Sequence, residues 1–106
     1  VVPIKEFLTS ERDEPVKFKV DDDVFVAIAP NKCPANILMA YAETVGMGRT
    51  RTAHTRFFAD VLEDESHKTF ASRLDSRDNP VTLLMMADIA NWLVQEVYAG
   101  KAKGLL

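Results

Sequence analysis

Cysteine occurs once in this chain, at Cys33, so no disulfide forms within it and packing alone must hold the fold. A lone thiol points to a reducing compartment. No secretory leader opens the sequence: VVPIKEFL lacks a basic segment followed by an apolar run. The first residue is Val, so an initiating Met was removed or the sequence begins inside a longer product. Long uninterrupted apolar runs are also missing. The most apolar stretch, NPVTLLMMADIANWLVQEVYAG (79–100), is broken by Asp88, Asn91, Gln95 and Glu96. It is too short and too interrupted to span a membrane. An excess of basic charge is missing as well. Thirteen Lys and Arg against 16 Asp and Glu give a net charge of −3, which argues against unaided nucleic-acid binding.

The spacings that carry chemistry are not found. His54 and His67 have neither an HExxH nor a paired-cysteine pattern around them, so no metal site is expected. Both histidines read as surface or capping residues. Gly46-Met47-Gly48 lacks the third glycine and the leading strand of a dinucleotide-binding loop. Asp21, Asp22 and Asp23 are adjacent and do not converge on one cation, so they read as a solvated turn. Cys33 beside Pro34 carries no nucleophile signature and reads as a small, partly buried residue at a helix start. No carboxylate pair, Ser/His/Asp set or phosphate loop supports catalysis, and no cofactor is expected.

What is present suits one domain with a modest core: 106 residues, 47% apolar and 27% charged. In VKFKV, Val16, Phe18 and Val20 alternate with Lys17 and Lys19 as in a half-buried strand. Three aspartates and a second β-branched run, Val24 to Ala29, complete a hairpin. The turn has no glycine, so its tightest form is strained. A lone hairpin is marginal in water and must lie on helices or pair with another chain.

Helical periodicity then takes over. Pro34 suits the first helical position, and Ile37, Leu38, Tyr41 and Val45 recur at helical spacing until Gly46 or Gly48. A second helix, capped by Thr50 or Thr52, buries Phe57, Phe58, Val61 and Leu62. A short third helix, with Asp64 as cap, points Phe70 and Leu74 inward. Asn79 and Pro80 start the last helix, which runs to about Gly100. The expected fold is mainly α: a small N-terminal β-hairpin followed by a compact bundle of about four helices over 16–100. A flexible arm (1–15), with a turn placing Phe7 and Leu8 on the body, precedes it, and a short tail (101–106) follows.

The last helix carries two apolar stripes. Leu83, Met86, Ala90, Leu93 and Val97, widened by Ala87 and Val94, form the seam assigned to the core. Val81, Met85, Ile89 and Trp92 form a second stripe, with Asp88, Asn91 and Gln95 making the polar face. The second stripe is either covered by the other helices and the hairpin, or it is a partner or self-association surface. Trp is enriched at interface anchors, and methionines such as Met39, Met85 and Met86 adapt to varied apolar partners. Arg49, Arg51 and Arg56 surround His54 in RTRTAHTR at a helix N-terminus, where cations oppose the helix dipole. They form a candidate patch for an acidic partner, set against the plainer reading of solvated arginines.

The order of these features resembles a known family. FKVDDDVFVAIAPNKCPANILMAYAE is a small hairpin running into a proline-started helix; FFADVLEDESHKTFASRLDSRDNPV and IANWLVQEVYAGK follow. Over about residues 16 to 101 this is similar to the tail assembly chaperones of long-tailed, siphovirus-type phages, particularly those infecting actinobacteria. Two departures stand out. The family often has Asp-Gly at the hairpin turn, where this chain has Asp21-Asp22, and often Trp or Tyr where this chain has His67. The resemblance implies a non-enzymatic role in the host bacterial cytoplasm. Such proteins bind the tape measure protein, keep it soluble, help recruit tail tube subunits and are absent from the mature virion. It also implies a longer form made by programmed frameshift, with Gly100-Lys101 as a place for a slippery run. The alternative role is a small structural tail or head-completion protein retained in the virion.

Overall fold

The change from alternating to helical periodicity falls where the sequence places it. The computed structural model describes residues 12–99. The expected packing of Phe7 and Leu8, the Gly100 stop and the 101–106 tail lie outside them. Strand β1 (Val16–Val20) pairs antiparallel with β2 (Asp23–Ala27), in the register Val16↔Ala27, Phe18↔Phe25 and Val20↔Asp23. Asp21 and Asp22 make the two-residue turn between them. Lacking glycine, the turn puts Asp21 at φ 55°, a left-handed conformation that aspartate tolerates better than most residues.

The hairpin lies on the helices through its second strand. Val26 and Ile28 turn their main-chain groups away from β1 and toward the link between α2 (Thr50–Val61) and α3 (Asp64–Leu74). The Ile28 amide donates to Val61 O at 2.8 Å, and the Glu63 amide donates to Val26 O at 2.9 Å. The Val26 amide donates to Ser66 Oγ at 2.8 Å, and the Tyr98 hydroxyl donates to Ile28 O at 2.9 Å. No long third strand is needed to satisfy the strand's buried edge.

Helix α1 (Ala35–Gly46) begins one residue later than expected: Pro34, with ψ 144°, is still extended and occupies the cap. Its C-terminus is a Schellman turn. Gly48 takes φ 78°, the Arg49 amide reaches back to Thr44 O, and the Gly48 amide to Val45 O. This turn feeds directly into α2, so Arg49 stands at the α2 boundary and neither Thr50 nor Thr52 caps it. In α3, Glu63 rather than Asp64 is the cap residue, and Asp64 and Glu65 fill the acidic first turn.

The last helix departs most from expectation. Pro80 and Val81 are not helical; α4 spans Leu83–Trp92, capped by Thr82, whose side chain accepts from the Met85 amide at 3.2 Å. The Val81 amide instead donates to Arg73 O at 2.9 Å, which carries the Val81 side chain into the core. Beyond Trp92 the chain continues as a π-helical segment, Leu93–Tyr98, closed by Ala99 N to Val94 O. An i→i+5 turn stacks each residue over the one five earlier. That brings Tyr98 over Leu93 and into the core, while Val97, assigned to the core, is only half-buried.

The core is aromatic. Phe25, Phe57, Phe58 and Phe70 are fully buried with Val61 and Leu93. Phe25 meets Phe70 edge-on at 5.6 Å, and Phe70 meets Phe58 at 4.5 Å. These contacts join β2, α2 and α3 and fix where α4 can lie.

Candidate interaction surface

The two stripes of the last helix do not divide as the periodicity suggests. Val81, expected on the candidate partner stripe, is 4% exposed, and Leu83, expected in the core, is 71% exposed. The helix starts at Leu83, so Val81 is on an extended approach that points it inward. The rest of the partner stripe stays near the surface. Met85 and Ile89 are half-buried against the core, and Trp92 remains 39% exposed with its ring edge on Phe18 at 6.2 Å.

Besides Val24 on the outer face of the hairpin, three regions among the described residues present apolar surface. At the start of α4, Leu83 and Leu84 stand out beside a hollow of about 550 Å³ with Leu74, Val81 and Met86 in its wall and Arg51 and Asp75 beside them. On α1, Met39 is 60% exposed, and Met47 just past the helix end is exposed to the same degree. Between β1 and α4, two adjoining hollows share Lys19, Asp88 and Ile89; Phe18 and Trp92 close one, and Val20, Asp21 and Met85 the other. Leu84 and Met47 were missed from sequence because both fall off the helical stripes.

The arginine patch does not converge. Arg51 borders the hollow against α3 and α4, whereas Arg56 lies with Ile37, Tyr41 and Asp60 at the α1–α2 seam. Arg49 sits at the boundary of α2. All three are exposed.

A different arginine has the structural role. Arg73 is buried at the end of α3, where Nε donates to Asn79 O at 2.9 Å and Nη1 to Val20 O at 2.9 Å. Nη1 also reaches Asp23 at 3.1 Å, and Nη2 reaches Asp21 at 2.6 Å. The aspartate turn is therefore not merely solvated; it clamps α3 to the hairpin. His54 is likewise buried rather than on the surface. Its Nδ1 donates to Thr50 O at 2.8 Å, and its Nε2 lies 3.3 Å from the Tyr41 hydroxyl. Burial raises the Tyr41 pKa, so the phenol stays protonated.

No cluster of three or more His, Cys, Asp or Glu is placed to hold a metal among the described residues. No helix among them is long and apolar enough to cross a membrane. Cys33 is half-buried, and burial, then the Asp60 charge, pushes its thiol up to about 11. Tyr98 is also raised, by burial first and then by Cys33. This thiol is held protonated, the opposite of an activated nucleophile. The sequence matches no protein-family profile, no curated protein and no solved structure.

Proposed function

We propose that the chain is a phage tail assembly chaperone that works by non-covalent binding of the tape measure protein in the host cytoplasm. In this reading it keeps that client soluble, helps recruit tail tube subunits through a longer frameshifted form, and leaves before the virion matures. The observation that carries the reading is the apolar surface at the start of α4. Leu83 and Leu84 are each 71% exposed beside a hollow with Leu74 and Met86 in its wall. A surface of this kind suits an amphipathic helix laid into a groove. Many weak contacts of that sort suit a long client. The hairpin-then-four-helix order accords with the family resemblance in the sequence.

The test is co-expression with the tape measure protein of the same genome. The client should move to the soluble fraction and co-purify with the chain. An unchanged client and no complex would sink the proposal. Mass spectrometry of purified particles separates the alternative role, since a retained structural protein would be found there and a chaperone would not.

A further inference from the structure

The register of the hairpin leaves one strand edge without a partner among the described residues. Val26 gives its main-chain groups to Ser66 and Glu63, away from β1. Lys17 opposite Val26, and Lys19 opposite Val24, are therefore non-hydrogen-bonded pairs. Their amides and carbonyls point out along the far edge of β1, where among the described residues they meet no partner. Beside that edge lie the two hollows lined by Phe18, Met85, Ile89 and Trp92.

We propose that this edge takes an extended peptide segment of a partner protein by antiparallel or parallel strand addition, with acidic and apolar side chains alternating. Successive residues of an added strand face opposite sides of the sheet. One row would lie over Phe18, Ile89 and Trp92 and is apolar, since those three side chains dominate that wall. The other row lies beside the exposed Lys17 and Lys19 and is acidic. Charge also decides against a second copy as occupant. Symmetric antiparallel pairing about Phe18 would set Lys17 opposite Lys19 of the other copy twice, and like charges directly opposite are destabilising. Lysines on an edge are a recognised guard against such self-pairing. The inference goes beyond the chaperone reading and does not depend on it, since it rests on strand register and charge alone.

The test adds a capped six-residue peptide alternating Glu and Val to the full-length protein, with the Lys–Val peptide as control. The Glu–Val peptide should slow hydrogen exchange at the Lys17 and Lys19 amides and shift Trp92 emission to the blue. The Lys–Val peptide should bind about tenfold more weakly or worse, from two cross-strand pairs turned from opposite to like charge. Combined Lys17→Glu and Lys19→Glu should reverse the preference. Lys17→Pro should abolish binding while the fold remains, because the lost N–H faces outward at an edge. Equal binding of the two peptides, or binding that leaves the two amides unprotected, would overturn the proposal. So would protection of those amides that grows with protein concentration without peptide, which would make a second copy the occupant.

Discussion

The Arg73 guanidinium bonds to Asp21 at 2.6 Å across 52 residues of sequence, and the same side chain reaches Val20 O at 2.9 Å. This contact turns a strained, glycine-free turn into a fixed point of the fold. Asp21 is held at its positive φ by a partner that also sets the end of α3 and the path to Val81.

Replacing Arg73 by Met should therefore cost about 2–3 kcal/mol, from the lost bonds to Val20 O and Asn79 O. The aspartates are well exposed, so Asp21→Asn or Asp23→Asn should cost below about 1 kcal/mol each. Arg73→Lys should rescue little, since an ammonium cannot match the guanidinium's fixed fork of donors. Urea denaturation midpoints of the variants check this.

Ser66→Ala should destabilise by about 1–2 kcal/mol, because the Val26 amide loses its acceptor in a part-buried position. Hydrogen exchange should speed up at Val26 more than at the strand amides that face β1.

The exchange of roles between Val81 and the leucines gives a paired test. Val81→Ala should cost about 2 kcal/mol for two buried methyl groups and the space they leave. Combined Leu83→Ser and Leu84→Ser should leave stability within about 0.5 kcal/mol. In the chaperone reading proposed above, the same double variant should lose most of the solubilising effect on a tape measure client. Thermal unfolding and the co-expression assay read the two effects separately.

The Cys33 thiol, raised from 9.0 to about 11, sets a direction for pH dependence. Between those values the unfolded chain gives up a proton that the folded chain keeps. The stability this group contributes is fully present below pH 9.0 and is lost as pH rises toward about 11. At pH 8 the folded protein should react with iodoacetamide more than tenfold more slowly than the urea-unfolded chain, since its thiolate fraction is lower. A Cys33→Ala variant should lose less stability between pH 8 and 10 than the parent protein.

Much of the architecture was legible in local pattern. The alternation around Phe18 gave the hairpin, and the recurrence of Phe57, Phe58 and Val61 gave the face of α2. Periodicity works there because a strand or an amphipathic helix buries one face whatever its partner is. Local geometry also made Gly48 a helix stop, since a Schellman turn needs a left-handed residue.

Tertiary structure decided what depends on partners far along the chain. Arg73 was unremarked in sequence because its acceptors on the hairpin are 50 or more residues away. The Asn79-Pro80 start was set aside because the Val81 amide found Arg73 O and the Thr82 side chain caps the helix at the Met85 amide. Tyr98 displaced Val97 because an i→i+5 turn shifts the facing residues, a change no 3.6-residue period foresees. The far edge of β1 has no partner among the described residues, because the helices take the edge of the other strand through Ser66, Val61 and Glu63. Sequence by itself determined which residues seek burial and in what secondary structure. Which of them stay exposed was decided only when long-range hydrogen bonds set where each element begins and what lies against it.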